Sequence, residues 1–290
     1  MNSQNVRSLL DFLGRVLTVA VTYTATFIVV GTGLTVFGFE DRGDGLLLLW
    51  TFIGSFLIAL ALGLAAETIP ASRSRHLLIW TTLLFGNHAA LIIGNAILNP
   101  DSVHSVPALL LQQFLACIVS ADVIYYFFAP TPHTALESVH HHWLGWLGRF
   151  AAAALAYIVF FYAFGAINYS LVTQPYYTAS LNGLTIPEAQ AVLLVQFVRA
   201  PIIILSLLPL LFTMRALPYQ ILITAGMLLF VSNGVMTLLG QIGQLPADLF
   251  LATGFELFAQ NFGTGAVAAW LLGAFTTRHE PTPHLKGLTR

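Results

Sequence analysis

Two charged residues lie deep inside apolar sequence: Arg199 in QFVRAPIIILSLLPLL and Glu256 in TGFELFAQNFG. A charge placed in hydrocarbon costs at least about 2.5 to 3.5 kcal/mol on insertion scales, so such side chains persist where they are paired, hydrated or used. A guanidinium fork matches a carboxylate in charge and geometry, which makes an Arg199–Glu256 ion pair the first expectation. The same chemistry lets Arg199 meet an anionic or carboxylate-bearing solute. A plainer reading makes the pair a clasp that only fixes helix packing.

Uncharged polar residues accompany them. Asn87, His88, Gln113, Gln196, Asn233 and Gln260 also interrupt apolar runs. Helical spacing puts Gln196 with Arg199 (i,i+3), Glu256 with Gln260 (i,i+4), Asn233 with Thr237 (i,i+4) and His88 with Asn95 (i,i+7) on shared faces. These eight residues form the candidate substrate-binding set: Arg199, Glu256, His88, Gln196, Asn233, Asn87, Gln260 and Gln113. For His88 the simplest role is a neutral imidazole bonded to a neighbour, and the sharper one is proton relay or ligand contact. Pro201 and Pro209 follow Arg199 on the same run, where each frees a backbone carbonyl and favours a kink beside the buried cation.

Other chemistry is less well supported. The stretch PHTALESVHHHW holds His133, Glu137, His140, His141 and His142, yet one E-x-x-H is only half of a carboxylate-bridged di-metal motif, so a surface histidine cluster is expected there. Asp122 is expected to be interfacial or paired with a basic loop residue. The single cysteine, Cys117, permits no intrachain disulfide and no cysteine-based metal site, and reads as a small apolar residue. H-E-x-x-H, G-x-S-x-G, Walker and G-x-G-x-x-G patterns are all absent from the sequence, and His88 is the one histidine at membrane depth, which argues against haem. No catalytic residue, cofactor or metal is expected.

The elements that must position these residues follow from composition. The chain has 290 residues, 57% hydrophobic and 8% charged, with a mean hydropathy of +0.82; soluble domains carry about 25% charged residues. Its apolar residues fall into runs long enough to cross a hydrocarbon core of about 30 Å at 1.5 Å per residue. Eight are marked: Val16 to Phe37, Leu46 to Ala66, Leu77 to Leu98, Pro107 to Phe128, Leu147 to Ile167, Ala189 to Thr213, Gln220 to Gly240 and Leu249 to Phe275. Their continuous apolarity favours helices over barrel strands, which alternate. The first run is too long for a signal-peptide core and is expected to be kept as a span. Arg278 to Arg290, with two prolines, reads as a disordered cytoplasmic tail.

Placing both termini in the cytoplasm puts Arg7, Arg15, Arg73, Arg75, Arg149, Arg215, Arg278, Lys286 and Arg290 inside and leaves Arg42 outside. This asymmetry is what the positive-inside rule requires. Counted from the outer ends, Arg199, Glu256, His88, Asn87 and Asn233 then share one depth, with Gln196 and Gln113 slightly nearer the outside. Runs one, two and five contribute few candidates to that layer. The longest outer loop, Asn168 to Glu188, carries Tyr169, Tyr176 and Tyr177, which suit either interfacial anchors, the simpler role, or the wall of an entry vestibule.

The chain also repeats itself. Leu10 to Gly31 aligned with Leu144 to Gly165 gives eight identities in 22 positions at a shift of 134, among them Arg15 with Arg149 and Tyr23 with Tyr157. Run three aligns with run seven at a shift of 146, matching Asn87 with Asn233 and Gly94 with Gly240. Run two aligns with run six at a shift of 145, so Arg199 faces Gly54; His88 faces Gly234 at the shift of 146, and the charged chemistry is specialised to one copy. The expected architecture is an all-α polytopic membrane protein with eight transmembrane helices. It is arranged as two tandem four-helix repeats of parallel orientation, residues 1–135 and 136–275, with a tail at 276–290.

Several function classes remain. A net charge of -1 and the lack of a polybasic run give no basis for nucleic-acid binding. The leading expectation is a secondary transporter or permease of the cell membrane, with its polar site in the outer third of the bilayer and a small, anionic solute. The alternative is a non-catalytic membrane subunit or sensor, with a structural Arg–Glu pair and a protein partner on its loops. A third is an intramembrane enzyme using Glu256 or His88 on a lipid-like substrate, although no nucleophile is visible.

Overall fold

The computed structural model describes residues 3–36, 38, 45–131, 143–178, 188–214, 216–243 and 245–273. The His133 to His142 cluster, the 276–290 tail and the basic residues Arg42, Arg215, Arg278, Lys286 and Arg290 lie outside the described residues.

Helices account for the structure, and no strand occurs among the described residues. They are α1 (Ser3–Thr35), α2 (Gly45–Ala66), α3 (Arg73–Leu98), α4 (Val106–Phe128), α5 (Trp143–Asn168), α6 (Ala189–Thr213), α7 (Pro218–Leu239) and α8 (Ala247–Leu272). A 3₁₀ turn, Pro100–Ser105, joins α3 to α4. The first seven are long and apolar enough to cross a membrane, and the chain is an integral, multi-pass membrane protein. α8 has 26 residues, about 39 Å of helix at standard rise, but Glu256, Gln260 and Asn261 lower its apolarity.

Two helices depart from α geometry. α5 continues beyond Asn168 through a π-helical turn, Tyr169–Thr173, into a short helix, Gln174–Thr178, so much of the expected outer loop is helical. α7 contains a π-helical turn, Phe230–Val235, which carries Asn233. By contrast α6 runs unbroken through Pro201 and Pro209. The irregularity expected beside Arg199 therefore lies in its neighbours.

Packing is mutual between particular helices. α1 packs against α2 and α4, and α4 against α3; α5 packs against α6 and α8, and α8 against α7. An extensive contact also joins α3 to α6, and α2 meets α7. Without a hydrophobic force between helices in lipid, close approach must come from small residues. At the α7–α8 crossing a Cβ on Gly265 would lie 2.5 Å from the Ala225 carbonyl oxygen, so the two backbones touch there. Large apolar side chains such as Val29, Leu251, Phe255 and Trp270 point outward, the pattern of a surface that meets lipid.

Candidate functional site

Arg199 sits ten residues into α6, about 15 Å from its first residue. Glu256 sits nine residues into α8. Both line one cavity of about 870 Å³, bounded by α3, α5, α6, α8, the 169–178 extension of α5 and the 241–245 loop. Its walls reach from Arg199 to Leu98, Ala189 and Leu249, which lie at or near the ends of three helices, so the cavity deepens from that end of the bundle. The size suits a small-molecule site.

The expected Arg199–Glu256 ion pair is not formed. Among the described residues two salt bridges occur, Arg15–Asp11 and Arg73–Asp122. Arg199 Nε is instead buried without a hydrogen-bond partner. Gly94 allows this placement, because a Cβ there would lie 2.9 Å from Arg199 Cδ and 3.1 Å from Val195 Cγ1. Glu256 takes a different partner: Asn168 Nδ2 donates to its Oε2 at 2.5 Å. Its Oε1 is 3.3 Å from where a Cβ on Gly165 would stand. Each charge thus lies over a glycine of a neighbouring helix, and the two reach the cavity from separate walls.

Gln196 joins them. It is 2% exposed, lines the cavity, and its Oε1 has no hydrogen-bond partner. Asn95, Asn168, Thr173, Tyr162, Tyr169 and Tyr177 also face the space. The rings of Tyr169 and Tyr177 stand 6.1 Å apart with a 40° tilt. Two of the three loop tyrosines therefore line the cavity. The third, Tyr176, donates its hydroxyl to Asp248 at the start of α8, and that contact holds the Asp248 carboxyl below its ordinary range.

The other predicted residues do not share this cavity. His88, expected at the same depth as Arg199, is buried between α1, α3 and α4: its Nδ1 is 2.8 Å from the Leu84 carbonyl oxygen and its Nε2 is 3.2 Å from the Tyr23 hydroxyl. Tyr23 is also 2.6 Å from Gln113 Oε1, so Gln113 belongs with His88. Asn87 donates to the Leu83 carbonyl at 2.7 Å and to Ser206 of α6 at 3.3 Å. Asn233 donates to Asn261 of α8 at 2.7 Å. Gln260 is buried beside Tyr157, whose hydroxyl also lies within electrostatic reach of Arg199.

The single polar layer therefore resolves into a cavity and four separate interhelical groups: Tyr23–His88–Gln113, Asn87–Ser206, Asn233–Asn261 and Tyr157 beside Gln260. Equal depth did not imply a shared face, because depth is set along each helix and direction by its rotation. α1 and α5, from which few polar contributions were expected, supply Tyr23 and Tyr157, each placed against a glutamine of the helix packed on it. Asn168 was also missed, since it lies at the boundary where the apolar run ends and its helix does not. Asp122, as expected, holds a basic partner, accepting from Arg73 Nε at 2.7 Å and from the terminal nitrogen at 2.8 Å. Cys117 is fully buried in the apolar core.

No protein-family model, curated protein or solved structure matches this chain.

Proposed function

We propose that the chain is a permease of the cell membrane that carries a small solute bearing a carboxylate or similar anionic group through the Arg199 cavity. One observation carries the reading: a guanidinium, without an ion-pair partner among the described residues, faces a cavity lined by amides and tyrosines. A half-buried cation at membrane depth without a protein anion paired to it needs a counter-charge from elsewhere, and a solute anion supplies it.

The architecture that goes with this function is eight spans with both termini in the cytoplasm. α8 supports the eighth span, because Leu251, Phe255 and Trp270 face outward while Gln260 and Asn261 face inward. The packing supports two four-helix halves: each contact among α1 to α4 that involves α1 or α4 recurs four helices later around α5 and α8. Cross-contacts α3–α6 and α2–α7 exchange under the same shift. Repeats of this kind commonly place a transport site at their boundary, and the cavity takes one wall from α3 and the others from the second half.

The subunit or sensor alternative keeps the interhelical contacts of Asn87, His88, Gln113 and Asn233 but loses its Arg–Glu clasp, and it gives the Arg199 cavity no role. An enzyme using His88 would have to reach a side chain 6% exposed and held by Tyr23 and Leu84, and one using Glu256 meets no serine, cysteine or histidine among the described residues that line its cavity. The test is uptake by the purified chain in liposomes, with radiolabelled carboxylates offered with and without a proton gradient. Saturable uptake that Arg199→Ala abolishes is the expected result; no uptake and no binding across the panel overturns the reading.

A further inference from the structure

We infer that the cavity is built for a zwitterion: a small molecule whose carboxylate meets Arg199 and whose ammonium group meets Glu256. The inference rests on the permease reading above and narrows its substrate class.

Charge balance is the first argument. Among the residues lining the cavity are one cation, Arg199, and one anion, Glu256, and they are not joined in an ion pair. A simple anion entering this space neutralises Arg199 and is repelled by Glu256, while a simple cation does the reverse. A molecule with both charges neutralises each wall and leaves the filled cavity with no net charge, which is the cheapest state in a low-dielectric surrounding.

The two walls also differ in kind. Around Arg199 the lining is amide and small, with Gln196 one turn earlier and Gly94 and Asn95 on the facing helix. Around Glu256 it is aromatic. Tyr177 lies within electrostatic reach of the carboxylate and its ring neighbours that of Tyr169, while Tyr162 and Phe161 add to the aromatic lining of the cavity. Aromatic faces beside a carboxylate attract an ammonium group through the ring quadrupole as well as through charge. The Asn168 amide occupies Oε2 of Glu256 and orients the carboxylate from α5. A guanidinium fork without an ion-pair partner at one end and an aromatic, carboxylate-bearing wall at the other give the site a polarity that a zwitterion can read.

The test compares probes of matched size on the purified full chain in detergent, by calorimetry. Propionate and butyrate carry the anion alone, propylammonium and choline the cation alone, and alanine, β-alanine, γ-aminobutyrate and glycine betaine carry both. At least one zwitterion is expected to bind about tenfold or more tighter than every single-charge probe, the scale of one charge-assisted contact. The best member of the series reports the span between the two walls, and glycine betaine against alanine separates a quaternary from a primary ammonium. Glu256→Gln is expected to remove the zwitterion preference, weakening the zwitterions and tightening the simple carboxylates, because it takes away both the ammonium partner and the charge that repels a lone anion. Carboxylates that bind as tightly as zwitterions overturn this inference and leave the permease reading standing, as does carboxylate affinity that rises on acidification while zwitterions show no advantage. Absence of binding and of uptake for all probes overturns both. The wild-type panel decides the matter even if a variant fails to fold.

Discussion

Asn168 donates to Glu256 at 2.5 Å, and this contact ties the C-terminal end of α5 to α8 at the cavity wall while Arg199 faces the same space from α6. The carboxylate is thus held by an amide, not by the guanidinium, which separates the consequences of removing each charge.

Arg199→Ala is expected to reduce uptake at least about tenfold, since one charge-assisted contact is worth roughly 1.5 to 3 kcal/mol. Thermal stability should change little, because no protein anion loses its partner. A clasp would behave differently, with Arg199→Ala destabilising the fold and a second change, Glu256→Ala, restoring it. Melting temperature and liposome uptake for the two single variants and the double variant distinguish these outcomes.

Glycine to alanine substitutions should separate site from scaffold. At Gly265 the new methyl meets the Ala225 backbone at 2.5 Å, which forces α7 from α8 and should cost about 1 to 3 kcal/mol. At Gly94 it meets the flexible Arg199 stem at 2.9 Å, so Arg199 shifts and affinity falls while stability holds. At Gly14 no atom lies within 4 Å, and the change should be neutral or slightly stabilising. Denaturation in detergent alongside ligand titration checks all three.

The Tyr176–Asp248 contact should respond to acid. Its hydrogen bond lowers the Asp248 carboxyl from its ordinary value of 3.8, so the contact stabilises the folded form above that pH and is lost as pH falls through the lower folded value. Tyr176→Phe should return the carboxyl toward its ordinary range. A carboxyl-carbon NMR titration of Asp248 in both proteins reads the shift.

Asn233 and Asn261 should act as a structural pair. Replacing either with alanine strands the other in the α7–α8 interface, at an expected cost of about 0.6 to 2 kcal/mol with uptake retained. A double-mutant cycle by thermal denaturation should show coupling between them, and loss of uptake without loss of stability would move Asn233 into the transport machinery.

Sidedness can be read with thiols, because the one native cysteine, Cys117, is fully buried and should stay unlabelled. In intact cells an impermeant maleimide should label Val103→Cys, in the turn between α3 and α4, while Ser74→Cys should need permeabilised cells. The reverse pattern would invert the orientation deduced from Arg and Lys.

Composition and run length were enough to place this chain in the membrane and to mark its helices, since each needs only a count of apolar residues against the thickness of hydrocarbon. They also singled out Arg199 and Glu256, because a charge in such a run is visible without coordinates. Whether those charges touch was beyond the sequence: it depends on helix rotation and on glycines of other helices, Gly94 under Arg199 and Gly165 under Glu256. The same rotation carried His88 and Gln113 to Tyr23, and Asn233 to Asn261, although His88 and Asn233 had matched Arg199 and Glu256 in depth and Gln113 lay only slightly nearer the outside. Periodicity fixes which residues share a face on one helix, but only packing among helices decides which faces meet, and that decision separated a paired clasp from a cavity with one charge on each wall.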